Sequence, residues 1–173
     1  MIKLIIIIIF SLIPFTAFSE LPVGEIPPKI VLSGQTGGKL DGTAWNSESL
    51  KDIIFILFYV DPDEKDLNVA VSQAIKKENF PRDEYGSVAV INMAATWLPN
   101  MAIASSLEKK QKEFPYTLYV KDLKKVLVDQ WNLRDDSNDI LLFGKDGKVL
   151  FSKDGKLSQQ DIDKMLGLIR SHL

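Results

Sequence analysis

Ile53-Ile54-Phe55-Ile56-Leu57-Phe58-Tyr59-Val60 runs directly into Asp61-Pro62-Asp63-Glu64-Lys65-Asp66. The first eight residues are β-branched, aromatic or leucine, with no polar alternation. Such a run is a strand covered on both faces, as in the centre of a parallel sheet. The second stretch is a helix-start signature, because carboxylates in a first turn accept bonds from free amides and complement the helix dipole. A helix is therefore predicted from this point to about Glu78, with Leu67, Val71 and Ile75 on one face at four-residue spacing.

Downstream, Ser87 to Met93 reads as a second buried strand. Trp97 to Lys112 reads as a helix whose start is delayed by Pro99. Tyr116–Val120, Val126–Asp129, Ile140–Phe143 and Val149–Ser152 are apolar segments alternating with turns. Gly144-Lys145-Asp146-Gly147 links the last two, and Asp-Gly supplies the positive-φ turn of an antiparallel hairpin. A final helix starts near Ser158 and turns Ile162, Met165, Leu166 and Ile169 inward. Lys153-Asp154-Gly155-Lys156 echoes the hairpin turn without any longer repeat period.

Upstream, Leu21 to Lys29 carries Pro22, Pro27 and Pro28 and should be extended. Ile30 to Ser33 is a short strand, and glycines 34, 37, 38 and 42 mark a turn and loop that lead to Trp45. Residues 1–19 read as an export signal, with Lys3, then an apolar stretch from Leu4 to Phe15, then Ala17-Phe18-Ser19 with small residues at the minus-three and minus-one positions. Cleavage is expected after Ser19, leaving residues 20–173 as a single domain in the periplasm with no stable membrane anchor.

The 173 residues include no cysteine and one histidine. Thiol catalysis, thiolate zinc sites and iron–sulfur clusters are excluded together. Removing residues 1–19 takes away Lys3 and leaves 20 basic against 23 acidic side chains, a balance that argues against nucleic acid as a partner.

The order strand, helix, strand, helix, hairpin, helix is that of a thioredoxin-like three-layer α/β/α domain, here with a peroxiredoxin-type N-terminal extension. Thr43-Ala44-Trp45-Asn46-Ser47, Lys65-Asp66-Leu67-Asn68, Ser105-Ser106-Leu107-Glu108, Trp131-Asn132-Leu133 and Lys153-Asp154-Gly155-Lys156-Leu157-Ser158 occur in the order and spacing of the YtfJ family. The chain resembles these exported bacterial proteins from about Leu21 to Leu173. The resemblance implies a periplasmic thioredoxin-like domain and no particular reaction. In thioredoxin-like proteins the redox pair opens the helix after the central strand, where Asp63-Glu64-Lys65-Asp66 stands here. A cis-proline faces it, and the matching position here is Asn138, for which a trans bond is expected.

Those positions define a candidate interaction edge: Asp61, Asp63 and Asp66 at the helix start, with Asp135, Asp136, Asn138 and Asp139 in the facing loop. Converging carboxylates suggest a calcium-type site, since hard cations take several oxygens. Helix capping and solvation explain the same acids without a cation, and no EF-hand spacing is present. His172 stands at a helix end and makes a poor general base. Ser105-Ser106 lacks a nucleophile elbow, and no phosphate-cradling glycine motif occurs. Trp45, Trp97 and Trp131 either close the ends of the core or contact a ligand. Lys109, Lys110 and Lys112 complement a helix C-terminus.

The expected function is a non-enzymatic binding or protein-interaction module, needing no cofactor, whose partner is a periplasmic protein or a small ligand. The alternative is a degenerate enzyme or cation-dependent protein that uses the acidic cluster. A structural role in the envelope is the third reading.

Overall fold

The computed structural model describes residues 20–173, so the expected export signal lies outside the described residues. In chain order the elements are β1 (Val31–Leu32), β2 (Gly37–Lys39), β3 (Trp45–Asn46), β4 (Ile54–Val60), α1 (Val69–Glu78), β5 (Tyr85–Asn92), α2 (Asn100–Glu113), β6 (Thr117–Asp122), α3 (Val126–Trp131), β7 (Asn138–Phe143), β8 (Val149–Lys153) and α4 (Gln159–His172). The six-stranded sheet has the order β2-β6-β5-β4-β7-β8, and β1 and β3 form a separate antiparallel pair. β4, β5 and β6 run parallel, while β2, β7 and β8 join the sheet antiparallel.

β4 is central, as its composition demands. Leu57 and Tyr59 face one layer with Val88, Val90, Val120, Leu141 and Phe143, where Leu127 and Trp131 of α3 and Leu21, Ile30, Leu32 and Trp45 of the N-terminal extension cover them. Ile54 and Ile56 face the other layer with Ile140, Leu142 and Phe151. There Val71 of α1 and Ile162, Met165, Leu166 and Ile169 of α4 bury them. α2 packs on the same face further along, setting Ile103 and Leu107 on Ala89, Ile91 and Tyr119. The result is the three-layer α/β/α arrangement with a thioredoxin-like sheet. Among the described residues no helix is long and apolar enough to cross a membrane.

The hairpin forms where Asp-Gly sits. Gly147 has φ +79°, its N–H reaches Gly144 O at 2.9 Å, and Lys148 N–H reaches Asp146 Oδ1 at 3.1 Å. Ser158 caps α4 in a reciprocal pair with Asp161, a capping box that fixes where the helix begins.

Three local expectations are corrected. The helix predicted from Asp61 begins at Val69. Asp61 accepts the Asp63 N–H at 2.8 Å and closes only a single 3-10 turn, Pro62–Glu64. Asn68 then leaves helical geometry because its side chain is taken by the sheet. Its Nδ2 donates to Asn138 O at 3.2 Å and Gly155 O at 2.9 Å, and its Oδ1 accepts from Leu157 N–H at 3.0 Å. Val126–Asp129, grouped with the strand segments, opens α3 instead, since Asp122 accepts the Val126 and Leu127 N–H groups at 3.0 Å each. The glycine-rich loop contains β2, an edge strand that only glycine could make. Gly37 and Gly38 have φ +134° and +131°, and a Cβ at Gly37 would run into the Lys121 carbonyl oxygen of β6. Gly37→Ala is expected to lower stability by about 2 kcal/mol, limited because an edge strand can shift outward. A urea melt reads this directly.

Candidate functional site

Parallel strands deliver their C-terminal ends to one edge of the sheet, and α1 and α2 start from that edge. Most of the buried polar side chains lie there: Asp61 after β4, Asn92 ending β5, Asp122 ending β6, Asn68 before α1, and Ser137, Asn138 and Asp139 where β7 begins. Buried polar groups need partners. At this edge most of them have one.

Asp122 takes N–H groups from Lys124, Val126 and Leu127, and the Tyr59 hydroxyl donates to it at 3.3 Å. Burial, followed by the Asp122 charge, drives the Tyr59 phenol pKa far up. Asn92 Nδ2 donates to Asp135 Oδ1 at 2.9 Å, and Lys125 Nζ lies 2.5 Å from Asp135 Oδ2. Burial works against the Asp135 carboxylate, but Lys125 and Asn92 outweigh it and hold its pKa below the ordinary value. Asp61 is shifted the other way, chiefly by burial, with the charges of Asp63, Glu64 and Asp135 adding to the rise against the Asp63 N–H. Its own N–H bonds Ser137 O at 2.9 Å, which ties the end of β4 to the start of β7.

Asn138 stands where the cis-proline was expected to be replaced, in register with Val60 of β4. Every described peptide bond is trans. Asn138 Nδ2 approaches Glu64 O at 3.5 Å, while its Oδ1 is buried with no partner. Asp139 next to it turns away from the edge and toward Asp154. Burial first, then the Asp154 charge, raises its pKa to about 8.

The seven predicted edge residues therefore divide. Asp61 and Asp135 lie within electrostatic reach of each other, Asn138 is buried at the start of β7, Asp139 faces the half-buried Asp154, and Asp63, Asp66 and Asp136 face solvent. Among the described residues no group of three or more metal-ligating side chains is arranged to hold an ion. Asp61 acts as a cap and Asp135 as an ion-pair partner.

What the sequence did not reveal lies beside them. A cleft of about 910 Å³ opens between α1 and α2, lined at the edge by Pro62, Lys65, Asp66, Asn68 and Asn138. Its deeper wall includes Phe58, Ala89, Ile103, Leu107 and Tyr119. Phe58 packs against both the α1/α4 cluster and the α2 cluster, so the cleft lies along the seam between them. A volume of this order suits a small organic ligand, and apolar walls with a few polar groups are the usual lining. Near the start of α2, Trp97 is 86% and Met101 84% exposed. Trp45 and Trp131 are core residues, and Trp131 Nε1 donates to Pro28 O at 2.7 Å.

The remaining polar candidates have ordinary surroundings. Ser105 and Ser106 are exposed positions of α2. Lys110 pairs with Glu113 at 3.0 Å. His172 is exposed with Nδ1 2.8 Å from Leu168 O.

Solved structures share this architecture at low identity. A peroxiredoxin-like protein from Aquifex aeolicus superposes with a TM-score of 0.60 at 11% identity over 89% of both chains. The exposed lipoprotein thioredoxin Etrx1 of Streptococcus pneumoniae gives 0.59 at 13% identity, over 83% of this chain and 99% of that one. A thiol-disulfide isomerase from Corynebacterium glutamicum gives 0.59 at 14%, over 85% and 98%. These likenesses establish a thioredoxin-like fold, here without any cysteine. Among sequence relatives, the uncharacterized protein YtfJ of Escherichia coli is 28% identical over 133 residues, 75% of this chain and 72% of that protein. An uncharacterized protein of Haemophilus influenzae is 29% identical over 106 residues, 61% of this chain and 58% of the relative. The family described as bacterial protein of unknown function, YtfJ_HI0045, matches residues 30–172, and the chain belongs to it.

Proposed function

We propose that this chain is an exported, periplasmic binding module that takes an apolar or amphipathic small molecule into the α1/α2 cleft. The cleft carries the reading: Phe58, Ala89, Ile103, Leu107 and Tyr119 give it an apolar wall, and it reaches the edge where thioredoxin-like proteins hold their redox pair. Polar side chains such as Lys65, Asn68, Ser106 and Lys110 also line it, a mixture that suits an amphipathic ligand. Export rests on Lys3, the apolar stretch to Phe15 and the small residues Ala17 and Ser19. Thiol–disulfide exchange needs a thiolate nucleophile, which a chain without cysteine cannot supply. Asp61 is occupied as a cap and Asp135 as the partner of Lys125, while Asp63, Asp66 and Asp136 face solvent, a dispersal that weighs against a cation as the ligand.

The probe for this reading is N-phenyl-1-naphthylamine, an apolar fluorophore that brightens out of water. It is expected to bind the processed protein at one site. Ala89→Leu adds three carbons to the wall of the cleft and is expected to weaken the probe at least tenfold, about 1.4 kcal/mol, with a cooperative thermal melt of the variant showing that it still folds. No saturable binding, or binding indifferent to Ala89→Leu, contradicts the proposal.

A further inference from the structure

The β7–β8 ladder pairs Leu141 with Ser152 and Ile140 with Lys153. Continuing that register past the end of β8 brings Asp139 to Asp154, whose charge acts on it. Like charges directly opposed across a ladder repel. Asp139 is only 1% exposed, and its Oδ2, like Oδ1 of Asp154, has no hydrogen-bond partner among the described residues. Arg134 is the nearby cation: its Nε is 3.9 Å from Asp154 Oδ2, and its backbone N–H is 3.5 Å from Asp139 Oδ1. The Glu20 carboxylate adds further repulsion, while Lys153 is directed to Asp161 at 3.9 Å. Acids outnumber cations here, and two buried oxygens wait for donors.

The start of the described chain is fastened beside this pair. Leu21 is buried in the core, and its N–H donates to Ser152 Oγ at 2.9 Å. Ser152 and Asp154 are two residues apart and share a face of the sheet. Leu141 and Asp139 share the facing positions on β7. Glu20 is thereby held next to the carboxylates by a core residue.

We infer that Asp139 and Asp154 form an ammonium-binding site whose occupant is the α-ammonium group of Glu20, created when residues 1–19 are removed. This rests on the export reading above. Hydrolysis of the Ser19–Glu20 amide consumes one water and leaves a carboxylate on Ser19 and a protonated amine on Glu20. A neutral amide with one N–H thus becomes a cation with three donors, beside two buried carboxylate oxygens that lack them. The unprocessed chain keeps the repulsion and is the less stable form. Processing completes the fold.

The chain recovered from the periplasm is first sequenced from its N-terminus, and a start at Glu20 is expected. A start elsewhere overturns the export reading and the inference with it. The mature chain with a free Glu20 amine is then compared with its Nα-acetylated form. By NMR of labelled Glu20, the α-amine is expected to titrate about one pH unit above the ordinary range of about 7.7 to 8.0. Acetylation is expected to lower the folding equilibrium constant at neutral pH about tenfold, and to do so neither in Asp139→Asn nor in Asp154→Asn. The second variant keeps the test open if the first does not fold. An α-amine that titrates in the ordinary range, or acetylation without effect in the parent chain, overturns the inference while leaving the export reading intact.

Discussion

Asp122→Ala is expected to lower stability by on the order of 4 kcal/mol, because several donors lose one acceptor and a lost hydrogen bond to a charged group costs about 1.5 to 3 kcal/mol. The carboxylate is fully buried. It takes the Lys124, Val126 and Leu127 N–H groups together with the Tyr59 hydroxyl. Two of those amides open α3, whose Leu127 and Trp131 belong to the main core. Losing the cap therefore loosens the layer over the α3 face as well as the helix end. Asp122→Asn keeps an acceptor and should recover part of the loss. Urea melts of both variants check this, and an alanine variant within about 1 kcal/mol of the parent would show that α3 is held by packing alone.

A large pH effect is expected from Asp139 when residue 20 carries no free amine. Its pKa is raised from 3.8 to about 8 by burial and then by Asp154. Between those values the folded chain keeps a proton that the unfolded chain has released. Stability contributed by this group is thus fully present below about pH 4 and is lost as pH rises through about 8. At about 1.4 kcal/mol per pH unit across the window, the total is several kcal/mol. Nα-acetylated protein should lose stability steadily from pH 4 to pH 8, and Asp139→Asn should remove that slope and be the more stable form at pH 8. A flat profile of the acetylated protein across this window would mean that the carboxyl finds a partner or water when it ionises.

Much of the fold was legible because its signals are local and redundant. The run at Ile53–Val60 announced a strand covered on both faces, Asp146-Gly147 announced the hairpin, and Ser158 with Ile162, Met165, Leu166 and Ile169 announced α4. Two of the three misread pieces turn on a buried polar side chain that bonds backbone outside its own segment, and the third, β2, on the positive φ of Gly37 and Gly38. Asn68 interrupts the expected helix because its amide is bonded to β7 and to the loop after β8. Val126–Asp129 resembles a strand in composition, yet Asp122, four residues before Val126, caps it into a helix.

The site was legible only in part. The acidic stretch does fall at the edge, but sequence spacing carries no information about which acids are buried. Asp139 turns toward Asp154 while Asp136 faces solvent. The cleft left no trace in the sequence, since empty space between α1 and α2 is a property of how helices are set apart. Leu98 just before α2 and Ala102, Ser106 and Lys110 on it line the cleft, a mixed row that resembles an ordinary surface face.

The most direct test of a binding cleft at the former redox edge is methyl NMR of the mature protein titrated with N-phenyl-1-naphthylamine. The account predicts shifts concentrated at Ala89, Ala102, Ile103, Leu107 and Ile75, with Leu127 and Leu141 on the opposite face of the sheet unmoved. Shifts confined to that opposite face, or none at saturating probe, would contradict it.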